Sequence, residues 1–531
     1  MEYLQKFKNI IEKILIDNND KKFINYNIKK YKIDKIKKNQ NEKNIILVDL
    51  FDWKAWIVIW SYLIPFLCKK LHCSAKFFYI DLYQGNLSKK EIYIRKIKKI
   101  FSSFNVCEGI NEYKFKYTRE EIIYYEKLYT SCNKSKQELI KFNYKSYNIG
   151  LLIYDTYIRV SDFPTVNFDD KKLKNIFIRA LKTLDEGLKF FNNYNVKCLI
   201  PSHLCYVSYG VFALIAHKKK IPIVKIYSKF RGNNSFRIHR IKDLLIDEAP
   251  FDKFQTEFNN FSETDKVKFR DIGKEIINKR LSGDYDDNLP YIKVSQYNND
   301  LKSKIKFDPY KEKVFLLTHC YFDNPHKYIW MLFPDFYEQI NYLLNLSNKK
   351  KNQQWFYKPH PEELKKGINI HEKILKNFPN VTLLDKNFGK NSILNSNPDL
   401  IITNHGKACH EFAYNKIPVI NTGENPHSKY NFSLNPKNLD ELDDMVLNLN
   451  NYKSKLNFDK TKIYEYLYMD FHHYNKMYDR DKNFKETFFA SKDININNSS
   501  KLYKYFLENI DNEKEKKIYK YLDAFYRDNF H

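Results

Sequence analysis

Residues Trp355-Phe356-Tyr357-Lys358-Pro359-His360-Pro361 decide how the rest of this chain is read. Trp355 to Tyr357 is a short apolar run of the kind that forms a buried strand, and Lys358 to Pro361 sit where that strand must end. Proline fixes φ and lacks an N–H. Pro359 and Pro361 therefore close the ladder and hold Lys358 and His360 in a rigid turn that suits an anion. Further on, Asp399 to Thr403 reads as a strand, Asn404-His405-Gly406 as a turn, and Lys407 to Asn415 as a helix. Gly406 allows a tight turn, and the first N–H groups of the helix, on Lys407, Ala408 and Cys409, would face whatever lies above the strand end, as a phosphate would. Pro418-Val419-Ile420 is the next strand. Strand, turn, helix, strand is the unit of a parallel α/β sheet, whose ligands bind beyond the carboxyl ends of the strands.

Working outward, Val314 to Thr318 opens this sheet and ends in His319, and Asp323-Asn324-Pro325-His326 leads into a helix from about Trp330 to Leu346. An earlier sheet begins with a strand at Ile45–Leu50, a helix at Trp56–Leu71 and a strand at Lys76–Ile80, with no G-x-G-x-x-G between them. Ile149 to Ile153 reads as a strand ending in Tyr154-Asp155-Thr156-Tyr157-Ile158-Arg159. That places Asp155 and Arg159 at the interdomain cleft, with a structural ion pair as the alternative. Val196 to Ile200 is a strand followed by Pro201-Ser202-His203, so His203 recurs at a strand end as His360 does, either as a catalytic group or as a hydrogen-bonded structural residue. Arg231 to Arg240 is a basic loop that reaches a phosphate or is solvated. From Asp243 to Asp308 the pattern weakens into polar helix and loop, which sets the domain boundary near 300. Asp284-x-Asp286 lies in that loop with no strand before it and reads as solvated.

Four segments result: a helical lead-in at 1–43, patterned by Tyr3, Phe7, Ile10, Ile11 and Ile14; a first Rossmann-like domain at 44–300; a second at 301–460; and helices at 461–531. The last group mixes Tyr, Phe, Leu and Lys, which suits packing back on the first domain or lying at a membrane surface. A length of 531 residues accommodates this. The formal charge is +27, yet the lysines form no single stripe or tail, and Lys, Asn, Ile and Tyr are abundant throughout while Gly numbers 12, as an AT-rich coding sequence would produce. Nucleic acid is therefore not the expected partner, although the excess favours sugar nucleotides, polyanions and anionic membrane. Eight cysteines without a C-x-x-C or metal spacing read as a reduced, cytosolic set. The first residues have no signal-peptide pattern, and the apolar run Ala55–Cys68 is too short to span a bilayer.

Lys358-Pro359-His360-Pro361 at a strand end, then a strand, a Gly-containing turn, a helix carrying Glu411 and a Pro-Val-Ile strand, resembles the nucleotide-binding domain of bacterial capsule and surface-polysaccharide glycosyltransferases. That group includes the capsule Kdo transferases, the sialyl- and polysialyltransferases and the teichoic glycerophosphotransferases. The resemblance covers roughly residues 310–450 and, more loosely, 145–230. It implies an α/β protein of GT-B architecture, with two Rossmann-like domains whose parallel sheets face across a cleft and a helical C-terminal extension. It further implies a cytoplasmic enzyme at the inner face of the membrane that moves a sugar from a nucleotide donor to a lipid-linked glycan acceptor, without a metal or other cofactor. Polysaccharide assembly or export proteins are further partners. The turn Asn404-His405-Gly406-Lys407-Ala408 departs from the group, which usually has small hydroxylated residues there. An acidic CMP-sugar thus stays one candidate donor beside CDP- and UDP-linked ones. A CDP-polyol phosphotransferase and a non-catalytic nucleotide- or polysaccharide-binding protein remain as alternatives.

Glycosyl transfer must stabilise charge on a leaving phosphate and remove a proton from the acceptor. Lys358, His360, Asn404, His405, Gly406 and Lys407 are the expected phosphate-side residues, and Glu411 resembles the carboxylate that holds the ribose hydroxyls. Asp155 is the expected base or nucleophile, and His203 the competing base. Arg159 would neutralise an acidic donor sugar, and His319 is a further substrate contact.

Overall fold

The structure, a computed structural model, describes residues 16–32, 43–80, 87–104, 107–112, 116–132, 135–227, 237–244, 251–283, 305–326, 330–456, 458–474 and 499–530. In chain order the strands of the first half are β1 (Asn44–Asp49), β2 (Ser74–Tyr79), β3 (Cys107–Glu112), the hairpin pair β4 (Asn143–Tyr144) and β5 (Tyr147–Asn148), β6 (Asn195–Ile200), β7 (Ile223–Tyr227) and β8 (Arg237–Ile241). The second half has β9 (Glu312–Leu317), β10 (Gln353–Lys358), β11 (Val381–Leu383), β12 (Leu400–Thr403) and β13 (Val419–Asn421).

Among the described residues these strands make two large sheets, ordered β3-β2-β1-β6-β7-β8 and β11-β10-β9-β12-β13. Every pairing in them is parallel except β7 with the edge strand β8. Each sheet winds outward one way from its first strand and then the other, which is the doubly wound order of a Rossmann-like domain. The two-domain α/β architecture expected from the sequence is the one the chain adopts. The strand cores are near-continuous apolar runs, with Ile45–Val48, Trp355–Tyr357 and Leu400–Ile402 fully buried, as strands covered on both faces require. Each such side chain contributes about 1.5–3 kcal/mol relative to exposure.

The C-terminal helices Lys501–Asn509 and Asn512–Phe530 return to the first domain. They cover the helix Lys54–Lys70 together with the early helix Asn18–Lys32. Phe23 stacks on Tyr503 with centroids 4.3 Å apart, and Lys30 Nζ meets Glu515 at 2.9 Å. Ile518, Leu522 and Phe525 sit in the same core as Trp60 and Leu63.

Three expectations change. The division between domains falls earlier than 300, because residues 251–283 belong to the second domain: Phe254, Phe258 and Ile277 share its core with Phe356 and Phe412. The helix Glu263–Leu281 runs along the helix Lys460–Tyr468, with Phe269 stacked on Tyr468 at 4.1 Å. Gly273 permits this approach, since a Cβ there would lie 2.1 Å from the Tyr464 carbonyl oxygen. Residues 461–531 consequently divide between the two domains, the segment through Tyr474 joining the second and 499–530 the first.

The third change concerns Ile149–Ile153. It is not a strand but the start of the helix Gly150–Val160. A Cβ at Gly150 would lie 1.9 Å from the Leu139 carbonyl oxygen, so the glycine lets the helix seat against the preceding turn. The helix is buried along nearly its whole length, which removes the polar face that would have marked it. The helical pattern from Tyr3 to Ile14, Arg231 to Phe236 of the basic loop, the Asp284-x-Asp286 pair and the boundary at 300 lie outside the described residues.

Candidate active site

Three adjacent strands of the second sheet, β10, β9 and β12, each carry a histidine two residues past the last strand residue: His360 after Lys358, His319 after Leu317, and His405 after Thr403. The strand order reverses between β9 and β12, and a crevice opens where successive helices leave on opposite faces of such a sheet. The three rings line it as a ledge. His319 stacks near His360 with centroids 5.4 Å apart, meets His405 edge-on at 6.3 Å, and lies on Phe336 at 4.5 Å.

Hydrogen bonds fix the ring orientations. His360 Nδ1 accepts the Glu362 N–H at 3.1 Å, so in the neutral ring Nε2 carries the proton and is left as a donor. Cys320 Sγ lies 3.2 Å from the same Nδ1. His405 Nδ1 donates to the Glu424 carbonyl at 2.8 Å. Burial, helped by His319 and Lys358, lowers His360 to about 3, which holds it neutral.

The turn beneath His360 is anchored from below. Glu363 donates its N–H to the His360 carbonyl at 3.0 Å, and its carboxylate accepts the Tyr321 N–H at 3.0 Å and meets His371 Nε2 at 3.2 Å. Tyr357 closes this network through its hydroxyl on His371 Nδ1. Such a fully buried polar network fixes the turn that presents His360.

The other expected phosphate-side residues behave differently from one another. Lys358 does not project into the crevice. It is buried, donates Nζ to the Lys386 carbonyl at 2.8 Å, and is lowered to about 7 by burial and by Lys390. Asn404 is buried and donates to Gln339 Oε1 at 3.2 Å. Gly406 has no left-handed φ; it is small because a Cβ would come within 2.7 Å of Thr403 Oγ1. Lys407 caps a helix that begins at Ala408 and ends at Tyr414.

Glu411 is buried in ion pairs. One carboxylate oxygen pairs with Arg280 and the other with Lys390, all within the second domain. Burial opposes its ionisation, but the two cations outweigh it and hold the carboxyl well below the usual range. The expected ribose contact is therefore an internal ion triad, because helix Glu263–Leu281 supplies an arginine the sequence pattern had not assigned to this domain.

The first domain has its own switch point between β1 and β6. Asp49 Oδ2 accepts Ser202 N–H at 3.2 Å and the Ser202 hydroxyl, while His203 Nδ1 lies 3.0 Å from Ser202 Oγ. Phe51, Tyr209 and Trp56 box His203 at centroid distances of 4.9, 5.1 and 5.8 Å. Burial, with Lys225 and Arg159 nearby, lowers His203 to about 3, while burial raises Asp49 to about 7.

Asp155 and Arg159 do reach the cleft, from the helix Gly150–Val160, and both bind the second domain. Asp155 Oδ1 meets His326 Nδ1 at 2.5 Å, and Arg159 Nη1 donates to the Phe322 carbonyl at 3.1 Å. Asp335 caps the helix Phe336–Leu346 with one oxygen, on the Glu338 N–H at 2.8 Å. Its other oxygen accepts the Tyr154 and Thr165 hydroxyls of the first domain at 2.5 and 2.6 Å. Lys366 adds a bond to the Ser161 carbonyl at 2.7 Å. His326 and Asp335 had no sequence signal beyond a polar loop, since their partners lie 171 and 181 residues away. Among the described residues no group of three or more His, Cys, Asp or Glu is arranged to hold a metal ion.

No family model matches the chain, and no curated protein matches it. Solved structures do. The chain is similar to the KpsC beta Kdo 2,4 transferase of Thermosulfurimonas dismutans at 11% identity and a TM-score of 0.34, over 51% of this chain and 79% of that one. It is similar to Acinetobacter baumannii MurG at 10% identity and a TM-score of 0.25, over 80% and 95% of the two chains. Anabaena Alr3699/HepE, solved with UDP and glucose, gives 9% identity and a TM-score of 0.24, over 81% and 94%. At these values the likeness assigns no residue a role, and the architecture rests on the strand orders above.

Proposed function

We propose that this chain is a glycosyltransferase that takes a sugar from a nucleotide-activated donor, with the nucleotide phosphate over the histidine ledge of the second domain. The observation that carries the reading is the Nε2–H of His360, held as a donor by the Glu362 N–H on Nδ1, at the crevice of a doubly wound sheet. A donor fixed before the ligand arrives costs no reorganisation when charge develops on the leaving phosphate. His360 is held neutral by burial, and an anion over the ledge would draw a proton onto it.

The acceptor side is formed by the first domain, and the resemblance of the Lys358–Pro361 turn and the strand units around it favours surface-polysaccharide synthesis on a lipid-linked acceptor. The reading includes metal independence, with imidazole and lysine groups in the place of a cation. Among the described residues no helix is long and apolar enough to cross a membrane, so contact with such an acceptor would be made from the surface.

A thermal-shift panel of CMP, CDP, UDP and GDP, with and without Mg²⁺, tests this on the wild type and on His360→Ala. One nucleotide should raise the melting temperature without Mg²⁺, by mass action worth about 2.7 kcal/mol at a hundredfold excess over Kd. His360→Ala should cut that shift to about half or less. No shift with any nucleotide would sink the reading in favour of a non-catalytic protein, and turnover of CDP-glycerol in place of sugar donors would favour a polyol phosphotransferase.

A further inference from the structure

Asp155 was the expected proton acceptor, yet its carboxylate faces an imidazole from the other domain. Asp155 Oδ1 lies 2.5 Å from His326 Nδ1. A carboxylate accepts, so Nδ1 of the neutral ring carries the hydrogen, and the lone pair is on Nε2. Tyr154 stands perpendicular to the ring with centroids 5.3 Å apart, so Asp155 and Tyr154 fix its orientation, while Asn324 Oδ1 accepts the backbone N–H of His326 at 3.1 Å and holds the loop. Among the described residues Nε2 has no hydrogen-bond partner, and it is not enclosed in the interior. The ring belongs to the loop that follows β9, and that loop adjoins the ledge, since its Cys320 Sγ lies 3.2 Å from His360 Nδ1.

We infer that His326 is the proton-accepting catalytic residue of the cleft, and that Asp155 is its positioning residue. The inference rests on the glycosyltransferase reading. In the step it serves, an acceptor hydroxyl oxygen forms a bond to the anomeric carbon as the bond from that carbon to the donor phosphate breaks. The bonding pair leaves with the phosphate, and the hydroxyl proton passes to His326 Nε2. Asp155 holds the tautomer and stabilises the imidazolium that results. The pair draws one residue from each domain, so the base is assembled where the two domains meet. Asp155 and Tyr154, both from the helix Gly150–Val160, face the ring, and the charges of Asp323 and Arg159 act on the same group of side chains.

The test uses the full chain and begins without substrate. Diethyl pyrocarbonate modifies neutral, accessible imidazole nitrogens, and residue-level mass spectrometry reads which. His326 should be modified readily at neutral pH, with buried His410 and His427 protected, and Asp155→Asn should slow the modification several-fold. A protected His326 in the intact chain would overturn the inference. A panel of CMP-, CDP- and UDP-sugars then follows. With whichever donor is turned over, His326→Gln should lower kcat by about 10²–10⁴-fold and remove the acid-side limb of the pH profile. Asp155→Asn should lower kcat more than it raises KM. Asp335→Asn, which removes interdomain bonds without touching the ring, should lower the melting temperature and keep the pH profile. Retained kcat in His326→Gln would overturn the inference. A silent donor panel beside a reactive, Asp155-dependent His326 would instead sink the glycosyltransferase reading and leave the proton acceptor standing.

Discussion

The two switch points have the same strand order and opposite surroundings. In the first domain, His203 packs against Phe51, Trp56 and Tyr209, and its Nδ1 is engaged inward through Ser202 to Asp49. In the second, His319, His360 and His405 stand side by side on three neighbouring strands, and the fixed donor of His360 points outward. A histidine past a strand end is thus an ambiguous signal by itself. Its neighbours decide whether it faces a ligand or is locked into the domain. The supports differ too: the first switch point is braced by aromatic rings, whereas the helix after β12 is braced by the Arg280–Glu411–Lys390 ions.

The largest effect should come from breaking that charged brace. Removing one member of a buried ion group leaves the others without compensation, at about 3–5 kcal/mol. Glu411→Ala should therefore lose stability of that order in chemical denaturation, and Glu411→Gln rather less. If Glu411 instead holds the ribose, the fold will survive while nucleotide affinity collapses, and the comparison between the two braces fails.

Next in size is the ledge itself. A hydrogen bond to a charged group contributes about 1.5–3 kcal/mol, so His360→Ala should weaken nucleotide binding roughly 10- to 100-fold in calorimetry. The melting temperature of the unliganded protein should move far less. The same replacement at His203 should leave nucleotide affinity within about twofold, since a hydrogen bond spent inside the domain reaches no ligand.

The strands around Lys358–Pro361 and Asn404–Gly406 were legible because each is a short apolar run cut off by proline, glycine or charge, and both sheets follow from repeating that unit. The helix Gly150–Val160 was not, because a helix buried on all sides shows an apolar run without a period, and four or five residues of it look like a strand. Helix Glu263–Leu281 was visible as a helix but not as part of the second domain. Its docking face combines Phe269, Ile272, Gly273, Ile276 and Arg280, and only the facing Tyr464, Tyr468 and Glu411 reveal why. The candidate histidines were found by their position at strand ends. His326 was not, because its meaning comes from Asp155 on the far side of the cleft. Pairings across domains leave no trace in local periodicity, so the ledge could be read from sequence and the dyad could not.

The smallest effect sharpens the comparison through pH. His203 and His360 are both lowered to about 3 in the folded chain, from an ordinary value near 6.5. Between those limits the unfolded chain binds protons that the folded chain refuses, so stability rises with pH there and is lost as the solution is acidified. Each histidine contributes to that loss, but the proposed nucleotide site lies over His360. A phosphate bound over the ledge of the second domain would raise His360 and leave His203, in the first domain, as it is. His203→Phe should therefore flatten the fall in melting temperature between pH 7 and pH 4.5 whether or not nucleotide is present. A saturating nucleotide should flatten it further in the wild type, by an increment that His360→Ala removes and His203→Phe leaves intact. If the two variants prove interchangeable in this experiment, the first switch point is as open to the ligand as the second, and the distinction drawn between them is lost.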